Sequence, residues 1–205
     1  MSQNVPFDLP EDPVPVLARL LDVIEHQIAP MTKRGVETGN KVFGAALLRK
    51  SDLSLVLAET NNEIENPLWH GEMHCLKKFY ELGQRPATTD LIFLSTHEPC
   101  SLCLSAITWA GFDNFFYFFS HEDSRDNFAI PHDLKILAEV FGLKDGAYRR
   151  SNAYWTARSI KAEIARIATV DRAALSERAC RITEIYGALS DTYQGTKDGS
   201  AIPLS

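Results

Sequence analysis

The chain has few cysteines and no long hydrophobic run. Only four of its 205 residues are cysteines, at positions 75, 100, 103 and 180, which excludes a secreted-type disulfide framework. The longest apolar run, NFFYFF, is far shorter than the roughly 20 residues that cross a bilayer. The stretch MSQNVPFDLPEDPVPV lacks the basic and apolar segments of a signal peptide. We therefore expect a cytoplasmic protein with no membrane partner.

Positive charge is also scarce. The 21 Lys and Arg residues are outnumbered by 27 Asp and Glu residues, so the net charge is −6 at pH 7. A nucleic-acid partner requires basic side chains that neutralise many phosphates, and this balance argues against one. The length suits one domain with additions, and 45% hydrophobic residues can supply a core without disulfides.

The pattern of apolar residues predicts alternating helices and strands. Two strands around the turn RKSD form a predicted hairpin, and two fully apolar strands cover about 90–96 and 114–120. Predicted helices are one ended by Pro30, one starting near Pro67, one between Pro99 and Gly111, and one near 133–141. This order predicts an α/β fold in which helices cover a mixed sheet.

The predicted boundaries divide the chain into four parts. These are an irregular N-terminal arm over 1–14, a main domain over 15–150, a helical C-terminal extension over 151–193 and a flexible tail over 194–205. The segment 121–133 is predicted to be a polar loop.

Two short motifs carry the ligand types that zinc prefers. His70 lies in HGE, and Cys100 and Cys103 lie in PCSLC, each at the predicted start of a helix. One imidazole and two thiolates suit tetrahedral Zn²⁺ and leave the fourth position open, as in catalytic zinc sites. Glu72 is poorly placed to bind the same ion but can carry protons. This pattern, H-x-E followed by P-C-x-x-C, is the zinc deaminase signature.

Other polar residues near these motifs have simpler interpretations. His74 mimics an i, i+4 histidine pair with His70, yet the two cysteines already complete the ligand set, so we expect it to pack or to form a hydrogen bond. We expect Cys75 and Cys180 to be buried as small hydrophobic residues. Glu98 is expected to hold its local loop. Asp126 and Asp133 are candidates for a second proton-handling carboxylate.

Over roughly residues 15–142 the chain resembles the cytidine and deoxycytidylate deaminase superfamily. It is nearest the branch of guanine deaminases, fungal-type cytosine deaminases and tRNA adenosine deaminases. The segments that carry the resemblance are KVFGAALL, HGE and THEPCSLCLSAITWAG. The resemblance implies a three-layer α-β-α cytidine-deaminase-like fold with a central mixed five-stranded sheet, to which this chain adds a helical C-terminal region.

The resemblance also implies roles for individual residues. His70, Cys100 and Cys103 would bind Zn²⁺, and Glu72 would be the catalytic proton shuttle. Asn61 or Asn62 would bind the substrate ring, with Asn61 the better match, and Trp109 matches an aromatic position near the pocket. Members of the family commonly form homodimers.

Together these features predict a zinc-dependent hydrolytic deaminase of a small amino-heterocycle, most similar to one acting on a nucleobase such as guanine. Attack by a zinc hydroxide, with Glu72 moving protons, would release ammonia. Two other hypotheses remain open: a tRNA adenosine deaminase that edits nucleic acid, and a scaffold that uses the deaminase fold without catalysis.

Overall fold

A mixed five-stranded sheet lies at the centre of the computed structural model, which describes residues 7–197 and 202–204. The strand order is β2-β1-β3-β4-β5, with β1 antiparallel to both neighbours and β3, β4 and β5 parallel. The strands are β1 (Gly44–Arg49), β2 (Leu55–Thr60), β3 (Leu91–His97), β4 (Asn114–Phe119) and β5 (Thr156–Ser159). The predicted hairpin and the two apolar strands are confirmed.

Helices cover both faces of this sheet. They are α1 (Val14–Val23), α2 (Ala29–Glu37), α3 (Gly71–Glu81), α4 (Ser101–Trp109), α5 (His121–Asp126), α6 (His132–Phe141), α7 (Ile160–Arg166) and α8 (Asp171–Thr196). Alternate residues of β3 face opposite sides: Ile92 and Leu94 pack with α1, α2, α7 and α8, whereas Leu91 and Phe93 pack with α3 and α4. The three-layer α/β fold is therefore confirmed.

Pro30 does not end the first helix as predicted. A π-helical turn, Ile24–Ile28, joins α1 to α2, and the Ala29 amide donates to the Ile24 carbonyl. The wider turn accommodates a proline near the start of α2, where its missing N–H is tolerated. The helical path therefore continues to Glu37.

The predicted C-terminal boundaries need two corrections. The segment 151–193 is not wholly helical, because Thr156–Ser159 pairs with β4 and completes the sheet. Helix α8 also runs three residues beyond 193, to Thr196, so the predicted tail begins as helix. Part of that tail, and residues 1–6 of the predicted arm, lie outside the described residues.

Two smaller predictions are also wrong. The predicted polar loop 121–133 contains helix α5, whose start is capped by a reciprocal pair of hydrogen bonds between Ser120 and Asp123. Cys180 is exposed because it lies off the buried stripe of α8, whereas Cys75 is buried as expected. In the part of the chain that the structure describes, no helix is long and apolar enough to cross a membrane.

Candidate metal centre

The starts of helices α3 and α4 meet beyond the carboxyl end of β3. His70 is the residue before α3 and Cys100 the residue before α4, and both have extended backbone. Close packing brings α3 there: a Cβ on Gly71 would lie 2.6 Å from the Gly44 Cα of β1. Only glycine permits this approach, which explains why HGE occurs in this chain.

Three predicted ligands converge at this point. His70 Nδ1 lies 3.4 Å from Cys100 Sγ and 3.8 Å from Cys103 Sγ, and the two sulfur atoms are 3.6 Å apart. A tetrahedral zinc ion with ordinary bond lengths would separate its sulfur ligands by about 3.8 Å and its sulfur and nitrogen ligands by about 3.6 Å. The donor set and its spacing therefore fit zinc.

The pKa values of His70 and Cys100 shift in opposite directions. Burial acts to lower the pKa of His70, but the hydrogen bond to Cys100 and its charge outweigh burial and raise this pKa to about 9. The hydrogen bond from Cys103 holds the pKa of Cys100 well below its usual value. Because a metal binds neutral imidazole and thiolate, its binding releases protons and strengthens as the pH rises.

Glu72 is buried beside the three ligands. Its Oε2 lies 3.3 Å from Cys103 Sγ, and Ser95 Oγ donates to its Oε1 at 2.8 Å. Burial, and then the charge of Cys100, raise the pKa of Glu72. A buried carboxyl group with a raised pKa holds a proton more readily than an exposed one and can return it to a neighbouring group, as general acid–base catalysis requires.

An apolar cavity of about 310 Å³ opens onto His70 and Cys100. Its polar wall is formed by Lys41, Glu63 and Asp133. Its apolar lining includes Leu68, Leu102, Ile130, Ile136, Pro203 and Leu204. A second recess of about 10 Å³, with room for about one water molecule, lies between Glu72, His97, His70 and Cys100. The arrangement can therefore hold a small planar molecule against a metal and a water.

The candidate carboxylates Asp126 and Asp133 have different positions. Asp126 is exposed and paired with Arg125, whereas Asp133 lines both the cavity and the recess. Burial, and then the charge of Cys100, raise the pKa of Asp133 to about 8. Asp133 therefore remains a candidate for proton handling, and the structure places Asp126 away from the cavity.

Helix α8 holds the chain segment that leads to Asp133. The Phe128 carbonyl accepts hydrogen bonds from Gln194 Nε2 at 2.6 Å and from Ser190 Oγ at 3.5 Å. The next residue, Ala129, has a φ of +54°, which is strained for a residue with a side chain. These two hydrogen bonds stabilise the bend that brings α6 to the cavity.

The two predicted substrate-binding residues do not line this cavity. Asn61 is buried: its Oδ1 accepts from the Gly71 amide, and its Nδ2 donates to Glu63 Oε2 at 2.8 Å. Trp109 lies on the outer side of α4 and is 91% exposed. Contact of either side chain with a substrate stays a prediction.

Two residues near the metal centre serve the fold, as expected. His74 Nδ1 donates to the Thr60 carbonyl at 2.9 Å, and its ring stacks on Trp69. Glu98 accepts from Tyr148 Oη at 2.6 Å and Arg150 Nε at 2.9 Å, which anchors the turn before Cys100.

Sequence reasoning missed the ion pair Lys41–Glu63 in the cavity wall. The two residues are separated by a hairpin, and Glu63 belongs to no recognisable motif. The available signal was the lysine directly before the apolar run VFGAALL, three residues ahead of β1, where the run predicts burial.

Acidification is expected to destabilise the fold through His97. Its ring packs among Phe43, Phe119 and Phe128, and burial, followed by the charge of Lys161, lowers its pKa well below the usual value. Below about pH 6.5 the unfolded chain binds a proton that the folded chain excludes. The free energy of unfolding then falls by up to about 1.4 kcal/mol per pH unit.

Urea unfolding at pH 7, 6 and 5 checks this expectation. The variant His97→Gln should lose less stability than the parent protein between pH 7 and pH 5. Equal losses in the two proteins would show that His97 does not carry the effect.

Comparison with known proteins shows a protein family whose matched region includes the candidate metal ligands. The family model for the cytidine and deoxycytidylate deaminase zinc-binding region matches residues 22–119. Guanine deaminase of Bacillus subtilis (strain 168) is 29% identical over 87 residues, which are 41% of this chain. The match spans 54% of that relative, so the chain covers about half of its length.

Two solved structures are similar to this chain over most of its length. A variant of the protein NE0047 in complex with 8-azaguanine is 16% identical, covers 92% of this chain and 98% of its own, and has a TM-score of 0.51. Guanine deaminase from Nitrosomonas europaea is 17% identical, with 91% and 90% coverage and a TM-score of 0.48. The likeness to the NE0047 variant shows a shared fold.

Proposed function

Because the chain belongs to the cytidine and deoxycytidylate deaminase superfamily, near its guanine deaminases, we propose that it is a zinc-dependent hydrolytic deaminase of a nucleobase such as guanine. The observation that carries the proposal is the buried Glu72 carboxyl beside the ligand set His70, Cys100 and Cys103, at the base of a cavity.

Zinc, when held by His70, Cys100 and Cys103, supplies a Lewis acid that lowers the pKa of water to about 7. Glu72 lines the recess and accepts a proton from the attacking water. Glu72 then returns protons to a ring nitrogen and to the departing amino group. The amino-bearing carbon gains oxygen and loses ammonia, so water is the only co-reactant.

Neighbouring side chains favour proton transfer by Glu72. The hydrogen bond from Ser95 fixes the orientation of its carboxyl group. Its raised pKa keeps the proton available for return. Asp133 faces the same recess from α6 and is a candidate second proton carrier.

The cavity supports a small planar substrate. Its volume of about 310 Å³ and its largely apolar lining suit one heterocyclic base. The net charge of −6 argues against a large polyanion such as tRNA.

Ammonia release by the zinc-loaded protein tests the proposal. The panel should contain guanine, adenine, cytosine, a pterin, a triazine and the corresponding nucleosides. We expect turnover of guanine or of a close relative among the free bases. Turnover of a tRNA anticodon stem alone would favour the editing hypothesis, and stoichiometric zinc without turnover of any compound would favour the scaffold hypothesis.

We also propose a homodimer that uses the outer side of α4. Trp109 is 91% exposed, and it shares this surface with Leu102, 37% exposed, and with Tyr80, whose hydroxyl reaches the Ala110 carbonyl. Large exposed aromatic side chains mark interfaces, and tryptophan often contributes most of the binding energy. Leu102 also lines the cavity, so a second chain at this surface would lie next to it.

Trp109→Glu is expected to convert the dimer to a monomer, because it would place a charge in the centre of an apolar interface. Size-exclusion chromatography with light scattering at micromolar concentration measures the mass. Val170→Glu is the matched control, since Val170 is 89% exposed near α8, on the opposite face of the sheet. A monomeric parent protein, or an unchanged dimer in Trp109→Glu, would refute this surface.

A further inference from the structure

A buried ion pair forms one wall of the cavity. Lys41 Nζ donates to Glu63 Oε1 at 2.8 Å, and the side chains are 7% and 1% exposed. Both residues line the cavity that opens onto the metal centre. Burying two charges costs free energy that their attraction repays only with good geometry, so such a pair is weak evidence for a role in stability.

The pair lies next to the ligand set. Glu63 Oε1 is 3.8 Å from His70 Nε2, whereas His70 Nδ1 faces the two cysteines. One imidazole ring therefore separates Glu63 from the metal position. A base bound with its amino-bearing carbon at the metal could reach this wall with an adjacent ring edge.

Asn61 cannot supply a polar contact at this wall without breaking its present bonds. Its amide oxygen accepts from Gly71 and its amide nitrogen donates to Glu63, so both ends are satisfied. Asn61 is also absent from the residues that line the cavity, whereas Lys41 and Glu63 are among them. Recognition at this wall therefore falls to Lys41 and Glu63.

Lys41 and Glu63 have hydrogen-bonding capacity beyond their contacts in the folded chain. An ammonium group has three N–H donors. Among the described residues, Lys41 Nζ gives one of them, to Glu63. A carboxylate accepts about four hydrogen bonds, and Glu63 receives three, from Lys41 Nζ, the Lys41 amide and Asn61 Nδ2. Among the described residues, the wall thus keeps two unused donors on Lys41 Nζ beside one acceptor position on Glu63 Oε1, which His70 Nε2 approaches only to 3.8 Å.

Building on the proposed deaminase function, we propose that Lys41 and Glu63 form a specificity site for the lactam edge of the substrate. A lactam carries a carbonyl oxygen next to a ring N–H. Lys41 would donate to the oxygen, and Glu63 would accept from the N–H. The preferred class is an amino-heterocycle with an oxo group, as in guanine or a pterin, and bases with an amidine edge, such as adenine, fit poorly.

The experiment measures equilibrium binding of two purines to the zinc-loaded protein by calorimetry. Hypoxanthine has the lactam edge, purine lacks it, and neither carries an amino group that could be removed. The parent protein should bind hypoxanthine roughly 10- to 100-fold more tightly than purine, the range expected for hydrogen bonds to charged groups. In Lys41→Met this preference should fall below about 3-fold, with purine affinity unchanged.

Two further variants keep the result interpretable. Lys33→Met removes an exposed lysine of α2 and should retain the preference. If Lys41→Met unfolds because Glu63 is left unpaired, the double variant Lys41→Met/Glu63→Gln removes both charges and should also lose the preference. Zinc content and thermal unfolding are measured for each protein.

The outcomes separate this proposal from the proposed function. An equal loss of affinity for both purines in Lys41→Met, or no preference in the parent protein, would overturn the lactam site. Ammonia release from guanine without a lactam preference would overturn this inference alone. A lactam preference without ammonia release from any base would support the site and contradict only the proposed deaminase function.

Discussion

The variant Glu72→Gln should retain zinc and release ammonia about 10²- to 10⁴-fold more slowly than the parent protein. Glutamine preserves the size of the side chain and its contacts with Ser95 and Cys103, but it cannot accept and return a proton. The expected loss is the usual contribution of a general acid–base group. Zinc is measured by atomic absorption and ammonia by a coupled assay with the best substrate of the panel.

Glu65→Gln is the matched control for this result. Glu65 is exposed and bonds only to Asn62 among the described residues, so its variant should keep parental turnover. Turnover of Glu72→Gln within about 3-fold of the parent protein would exclude Glu72 as the proton shuttle.

The second large effect is expected for Cys103→Ser. Cys103 contributes one of two sulfur ligands, and an alcohol is a poor ligand for zinc. After dialysis against a chelator and readdition of one equivalent of zinc, the variant should hold less than about a tenth of the parental zinc. Its ammonia release should fall to background.

Thermal unfolding gives an independent measurement of the same ligand. Zinc that binds only the folded chain raises its melting temperature, so the parent protein should respond to zinc and Cys103→Ser should not. Cys180→Ser is the matched control, because Cys180 is exposed on α8 far along the chain from the ligand set. Stoichiometric zinc in Cys103→Ser would show that the metal is held elsewhere.

The convergence of His70, Cys100 and Cys103 can be predicted from the sequence because their positions follow local rules. The spacing of Cys100 and Cys103 within the first turn of α4 brings both sulfur atoms to one side, whatever the rest of the chain does. The apolar strands β3 and β4 are equally visible, since every one of their residues is buried.

Features that depend on distant contacts could not be predicted in this way. Strand β5 has only four residues, TARS, and becomes a strand because the exposed edge of β4 pairs with it. The π-helical turn before Pro30 leaves no signal in the spacing of the apolar residues. The pair Lys41–Glu63 arises only when the hairpin folds, and the outward direction of Trp109 depends on how α4 packs.

The hydrogen bonds that α8 donates to the Phe128 carbonyl also have a consequence for biosynthesis. The candidate metal ligands His70, Cys100 and Cys103 leave the ribosome early, whereas Gln194 follows Cys103 by roughly 90 residues. At bacterial or eukaryotic rates of roughly 5–20 residues per second, that interval is on the order of ten seconds. A nascent chain can therefore gather its metal ligands before Gln194 exists to fix the bend ahead of Asp133. Completion of the cavity wall is then a late event in the making of the protein.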